Sequence, residues 1–100
     1  MTITITSTAQ PLQKILRQDS STGDKMRTFI ATRGAKPSYT FVIQNTDTTA
    51  NIYFETDGST ATSSSLKIIP GEKVVFSAPD LNQINLLASV VSLTIPISSI

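Results

Sequence analysis

One hundred residues with 39% hydrophobic side chains, 15% charged side chains and a net charge of +1 describe one small globular domain with a single core. Neither cysteine nor histidine occurs, which excludes disulfide frameworks, cysteine nucleophiles and the commonest general base, and argues against most enzyme classes. Threonine and serine contribute 15 and 13 residues, and these hydroxyl residues suit strand faces better than helix faces. The composition therefore favours an all-β domain.

No targeting or membrane-spanning segment is recognisable in the sequence. The first eight residues lack the basic region and the continuous apolar region of a secretory signal. The most apolar stretch, residues 84–100, is interrupted by polar residues and by Pro96, so it falls short of the roughly 20 apolar residues that a membrane span needs. We therefore expect a protein that is made in the cytoplasm and has no membrane span.

The first 18 residues predict a strand and then a helix. Ile3 and Ile5 alternate with threonines, a pattern typical of a strand with one apolar face and one hydroxyl face. Residues 9–18 carry the only helix pattern, because Leu12, Ile15 and Leu16 recur at spacings of three and four.

The segment that follows predicts a turn, a strand and a loop. Residues 19–24 have turn chemistry. Residues 26–33 alternate, with Met26, Thr28 and Ile30 on one face, which favours a second strand. Residues 34–37 contain glycine and proline and predict a loop.

Short alternating runs fill the rest of the chain. They predict strands over residues 39–44, 51–55, 66–69, 73–78, 83–89 and 90–97. We expect the first two to be neighbours in a hairpin or meander, and Pro70-Gly71 to form a type II turn between the next two. About seven or eight strands at spacings of about ten residues predict an antiparallel β-sandwich or jelly-roll-like barrel.

The parity of apolar residues within each run predicts which side chains form the core. Residues that share parity in a strand point to one face of the sheet. The predicted core consists of Phe41, Ile43, Ile52, Phe54, Leu66, Ile68, Val74, Phe76, Ile84 and Leu86.

Half of the chain carries motifs whose order resembles a known class of proteins. The motifs are Phe41-Val-Ile-Gln-Asn45, Asn51-Ile-Tyr-Phe54, a Ser/Thr-rich loop, Leu66-Lys-Ile-Ile-Pro-Gly-Glu72 with Phe76, and residues 81–88. This order resembles the small β domains of bacteriophage virion proteins, such as capsid decoration, spike, head and tail components. Within the single domain, 1–100, the phage-like β core covers residues 41–97, and residues 1–40 lack the pattern.

The resemblance implies a structural protein of the virus particle. Such a protein has no catalytic site and no cofactor, and it acts by self-assembly and by docking on other virion proteins. We expect it to reside in the virion after synthesis in the host cytoplasm.

Three carboxylates raise an alternative chemistry. Asp47, Glu55 and Asp57 could approach each other as a glycosidase-like pair, or bind Ca²⁺ with Asn45 or Asn51. The spacing of a calcium-binding loop is absent, and aspartates of this kind more often form turns. We therefore predict no catalytic or metal site.

Charge and apolar surface together predict an assembly interface. Residues 14–36 contain six bases and two acids, whereas the rest of the chain contains two bases and five acids. This basic segment is either a solvated edge or a patch that meets an acidic partner; nucleic acid is not favoured, because no aromatic residues are interleaved with the bases. The terminal strands hold more apolar surface than we expect a small sandwich to hide. We predict a homo-oligomer, for example a trimer, with an interface formed by Ile3, Ile5, Arg27, Arg33, Leu93, Ile95 and Ile97.

A carbohydrate-binding or adhesion module is the alternative function. In that case a sandwich loop would display tyrosine, asparagine and aspartate to a glycan, and the protein would work as a monomer. Tyr39, Tyr53 and the phenylalanines could form a stacking platform, although Phe41, Phe54 and Phe76 lie in apolar strands and are expected in the core.

Overall fold

Two four-stranded antiparallel sheets pack face to face in the computed structural model, which describes residues 1–18 and 25–100. The strands are β1 (Thr2–Thr6), β2 (Gln10–Pro11), β3 (Tyr39–Gln44), β4 (Ile52–Glu55), β5 (Leu66–Ile68), β6 (Lys73–Ala78), β7 (Asn85–Ala88) and β8 (Ser92–Ser99). The helices are α1 (Leu12–Gln18), α2 (Lys25–Arg33) and a short 3₁₀ helix, Leu81–Gln83.

The strand order is that of a jelly roll. One sheet runs β1-β8-β3-β6 and the other β2-β7-β4-β5, so the chain changes sheet at nearly every connection, and only β4 and β5 form a hairpin within one sheet. The predicted antiparallel sandwich of about eight strands is confirmed. The predicted pairing of residues 39–44 with 51–55 is wrong, because β3 pairs with β6 and β8. Alternation reveals which face of a strand is buried but not which strand lies beside it.

The segment predicted as a strand over residues 26–33 is helical. Lys25, Met26 and Phe29 are buried, which is the spacing of one helix face, and Ile30 is 47% exposed. A two-residue alternation of apolar side chains happened to coincide with a helix that buries only one side. The helix predicted over residues 9–18 is confirmed for Leu12–Gln18, whereas Gln10–Pro11 form the short strand β2 instead. The turn predicted over residues 19–24 lies outside the described residues.

Both sheets and both helices contribute to one core. Its centre is aromatic: the ring of Phe41 lies 5.6 Å from that of Phe29 and 5.3 Å from that of Phe76. Seven of the ten predicted core residues are buried, and Phe54 and Val74 pack against them half-buried. Leu66 was wrongly placed in the core, because it begins an edge strand and is 73% exposed.

The apolar side chains of the terminal strands belong to this core as well. They are Ile3, Ile5, Leu93, Ile95 and Ile97, and all are buried within the single chain. Antiparallel pairing sets Ile3 opposite Ile95 and Ile5 opposite Leu93, so these side chains share the inner face. The expectation that the terminal strands leave surplus apolar surface exposed is therefore wrong for these five residues, whereas Val91 and Ile100, which flank β8, are 82% and 53% exposed.

Candidate assembly surfaces

Three of the exposed apolar side chains lie on or beside β5 and β6. Leu66, Ile69 and Val75 are 73%, 44% and 64% exposed, and we call these three residues the β5–β6 strip. Strands β5 and β6 are the last strands of their respective sheets. The short connection between them holds both edges on the same side, so the strip lies where neither sheet has a further partner.

The local sequence explains how this strip forms. Val74 and Val75 are consecutive in a strand, so one must face outward, and Val75 pairs with Val42 on the outer face. Leu66 pairs with Phe54, whose ring meets Phe76 edge-on at 5.2 Å between centroids. Leu66 therefore lies at the open margin of the core with solvent on its other side.

The turn between β5 and β6 is closed by hydrogen bonds. The Glu72 N–H donates to the Ile69 carbonyl at 3.1 Å, and the Glu72 carboxylate accepts from the Ile69 N–H at 2.9 Å. Gly71 adopts a φ of 86°, which glycine adopts without the steric cost of a Cβ atom. The turn predicted at Pro70-Gly71 is thus present, although it joins strands of different sheets.

A buried asparagine, Asn45, holds this turn in place through hydrogen bonds to the backbone. The Asn45 side-chain nitrogen donates to the carbonyls of Ala50 at 2.8 Å and Ile68 at 2.9 Å. Its backbone N–H donates to the Glu72 carbonyl at 2.9 Å, and its carbonyl accepts from the Gly71 N–H at 2.8 Å. Asn45 is fully buried, so it fixes the backbone on which the strip is displayed.

The outer face of the β1-β8-β3-β6 sheet is nearly uncharged. Alternation places on it Thr2, Thr4, Thr6, Thr40, Val42, Gln44, Lys73, Val75, Ser77, Ser92, Thr94, Pro96 and Ser98. The hydroxyls of Thr4 and Thr94 lie 3.0 Å apart across the strands. A shallow depression of about 250 Å³ lies among Val42, Gln44, Lys73, Pro96 and Ser98. Lys73 is the only charged side chain among the residues of this face.

The three candidate carboxylates do not form one site. Asp47 precedes β4, whereas Glu55 and Asp57 lie at its far end. The Asp47 carboxylate accepts from the backbone N–H of Ala50 at 2.7 Å and of Thr49 at 3.0 Å, and these bonds lower its pKa.

Asp57 and Glu55 likewise have local partners. Asp57 accepts from the Ser59 N–H at 3.0 Å, and its pKa is lowered by its hydrogen bonds to Ser59. The Glu55 carboxylate accepts from the Ser65 hydroxyl at 2.5 Å. Residues 1–18 and 25–100 contain no cluster of three or more acidic residues that could hold a metal ion.

The predicted interface residues do not share one surface. Five of the seven are core residues, and the other two, Arg27 and Arg33, lie on α2. The Arg33 guanidinium lies 4.5 Å from the centre of the Tyr39 ring. This cation–π contact engages Arg33 within its own chain.

An aromatic stacking platform is not assembled. Tyr39 is buried beneath Arg33, and Phe41 and Phe76 lie in the core. Tyr53 faces outward on β4, between Lys67 and Leu87 in register.

Comparison with known proteins yields no relative: no protein-family model, curated protein or solved structure matches the chain. No helix of the described residues is long and apolar enough to cross a membrane. The strand order and the surface are therefore the features that bear on function.

Proposed function

We propose that the chain is a non-enzymatic structural protein of a virus particle, of the kind found in bacteriophages as capsid-associated, spike or tail components. It acts by self-assembly and by docking on other virion proteins. The observation that supports this proposal most is the β5–β6 strip on a jelly-roll frame. Jelly rolls occur in viral capsid proteins and also in lectins, so the strand order supports the proposed function by analogy alone.

The strip favours association because of where it lies. Large apolar side chains beside edge strands are an aggregation hazard in a monomer unless a partner covers them. Burying them releases about 25 cal/mol for each Å² of apolar surface. The nearly uncharged hydroxyl face beside the strip offers little to bind charged molecules non-specifically. A rigid frame with one apolar margin is what a protein that assembles by contact area requires.

The presence of the protein in particles tests the assignment directly. We expect mass spectrometry of purified virions from the host of this sequence to detect the chain in a fixed ratio to the major shell protein. Particles that lack the chain at the sensitivity of one copy per particle would contradict the proposal.

The oligomeric state tests the role of the strip. We expect sedimentation of the protein at micromolar concentration to show an oligomer, and Val75→Thr to shift it towards smaller species. Thr has nearly the shape of Val but adds a hydroxyl that is costly to bury without a partner. Val91→Thr is the matched control, because Val91 is 82% exposed and lies in the β7–β8 connection, outside β5 and β6. Equal masses for all three proteins would remove the strip from the proposal.

Carbohydrate binding is the second candidate function. Tyr53 offers one outward-facing aromatic ring beside Lys67, and an aromatic ring of this kind can stack on a sugar. A monomeric protein that binds a saccharide in the micromolar range, and loses the binding in Tyr53→Ala but not in Leu87→Ala, would favour this function over a virion role.

A further inference from the structure

A basic groove lies at the other end of the sandwich from the β5–β6 turn. It encloses about 320 Å³ between α1 and the 3₁₀ helix and is lined by Gln13, Lys14, Arg17, Gln18 and Asn82. Its described lining consists of two cations and three amides. The groove therefore matches an anionic surface.

The two cations of the groove are available to a partner. Lys14 and Arg17 are three residues apart on α1, so they lie on one face of that helix. Both are exposed, and neither forms an ion pair with a carboxylate of residues 1–18 or 25–100. Two like charges held close together favour the approach of an acidic partner.

Two exposed acids lie beside the same 3₁₀ helix. The Asp80 carboxylate accepts from the Asn82 N–H at 2.9 Å. The loop that holds Asp57 is joined to the 3₁₀ helix by the Gly58 N–H, which donates to the Gln83 carbonyl at 3.0 Å. Neither acid forms an ion pair with a base of the described part of the chain. Opposite charges thus flank one short element without neutralising each other.

We propose that a second copy of the chain docks on this surface about a twofold axis, so that Lys14 and Arg17 of each copy face Asp57 and Asp80 of the other. An isologous contact requires both complementary halves on one surface of one chain, and this surface carries both. An unrelated acidic partner would bind the groove but would leave Asp57 and Asp80 without a complementary charge. The inference rests on the proposed self-assembly and gives that assembly a second contact.

A second contact changes what the chain can build. The β5–β6 strip and the charged surface lie at different places on the molecule, so both can be occupied at once. A protein with two separate self-contacts extends beyond a dimer into a larger array. The charged contact also gives the array a dependence on salt concentration that apolar burial alone does not have.

Charge exchange tests the contact. The measurements are made by sedimentation at low salt in the Val75→Thr background, which removes the strip's contribution. We expect Lys14→Glu/Arg17→Glu to weaken the remaining dimer by about tenfold or more, and Asp57→Lys/Asp80→Lys to do the same. We expect a mixture of the two variants to form a heterodimer, because both symmetry-related contacts then join opposite charges. Lys36→Glu/Lys73→Glu is the control for the basic pair, with the same total charge change at two exposed residues outside the groove.

A further variant separates the effect of lost charge from the effect of lost folding. Asp57 and Asp80 each accept a backbone hydrogen bond, so Asp57→Asn/Asp80→Asn keeps an acceptor and removes only the charge. We expect it to weaken the dimer and to lose the salt dependence.

Three results would overturn the inference. They are a Val75→Thr protein that is monomeric, charge-reversed variants that do not associate on mixing, and an effect of the basic substitutions that the acidic ones do not share. The last result would assign the groove to an acidic partner other than this chain. In each case the proposed virion function is still tested separately, by the presence of the chain in particles and by the comparison of the natural protein with Val75→Thr.

Discussion

The side chain of Asn45, just past β3 in one sheet, donates a 2.9 Å hydrogen bond to the carbonyl of Ile68, the last residue of β5 in the other sheet. The same nitrogen also donates to the Ala50 carbonyl, and the side-chain oxygen accepts from the Asp47 N–H at 3.1 Å. One buried amide thus satisfies three backbone groups where the chain crosses between the sheets.

Replacement of this amide should be among the most damaging polar substitutions in the chain. We expect Asn45→Ala to reduce the free energy of unfolding by about 3 kcal/mol, because two buried carbonyls and one buried N–H lose their partner. Asn45→Asp should cost at least as much, since a buried carboxylate cannot donate to the carbonyls. Urea unfolding measures both.

Thr48→Ala is the matched control for these variants. Thr48 lies in the same loop and is exposed, so the free energy of unfolding should change by less than about 0.5 kcal/mol. A loss of similar size in Thr48→Ala and Asn45→Ala would show that the loop as a whole, and not the amide, carries the effect.

The strands were predictable because their signal is local. A buried face of period two marks β3 and β8 in the sequence itself, as Phe41 and Ile43 or Leu93 and Ile95 show. The pairing of strands was not predictable, because it depends on connections that cross between sheets. The seven-residue loop after β3 is short enough for a hairpin, yet the bonds of Asn45 direct it to the opposite sheet.

The assembly surface was mispredicted for a related reason. Counting apolar residues in the terminal strands cannot reveal that β1, β8 and the helices bury them together. The exposed strip had a weaker signal, which was the consecutive Val74 and Val75 in a strand that must turn one of them outward. Whether the outward residue meets solvent or another element depends on the strand being at an edge, and sequence periodicity contains no information about that.

The helical assignment of α2 is open to a direct test with two neighbouring residues. Phe29 is fully buried against Phe41, whereas Ile30 is exposed. We expect Phe29→Ala to cost about 3 to 5 kcal/mol of unfolding free energy and Ile30→Ala less than about 0.5 kcal/mol. A strand would have placed Met26, Thr28 and Ile30 on one face and Phe29 on the other, so similar large losses of unfolding free energy in Met26→Ala and Ile30→Ala with a small loss in Phe29→Ala would contradict the helix.

The turn at Gly71 allows a backbone effect to be separated from a packing effect. A Cβ atom at Gly71 would meet nothing within 4 Å. The only cost of a side chain here is therefore the steric strain that the positive φ of residue 71 imposes. We expect Gly71→Ala to reduce the free energy of unfolding by about 1 to 2 kcal/mol. Gly71→Asn should cost less, because asparagine adopts this conformation more readily. Equal losses measured by urea unfolding would mean that φ is not the cause.

The carboxylate of Asp47 should make stability depend on acid in a defined direction. Hydrogen bonds from the backbone of Ala50 and Thr49 lower its pKa below the ordinary 3.8, so the folded protein binds this proton less readily than the unfolded chain. The stabilisation is therefore complete above the unfolded pKa and is lost as the pH falls through the folded one. Asp57, whose pKa is lowered by Ser59, follows the same rule.

Asp47→Asn removes this dependence at one position. We expect the variant to be less stable than the natural protein near about pH 6, and the difference to shrink as the pH falls below about 4, because protonated aspartic acid and asparagine are then equally uncharged. Urea unfolding at a series of pH values measures the difference, and Thr48→Ala should show an offset that does not vary with pH. A gap between Asp47→Asn and the natural protein that stays constant or widens in acid would show that the hydrogen bonds to Ala50 and Thr49 do not favour the ionised carboxylate.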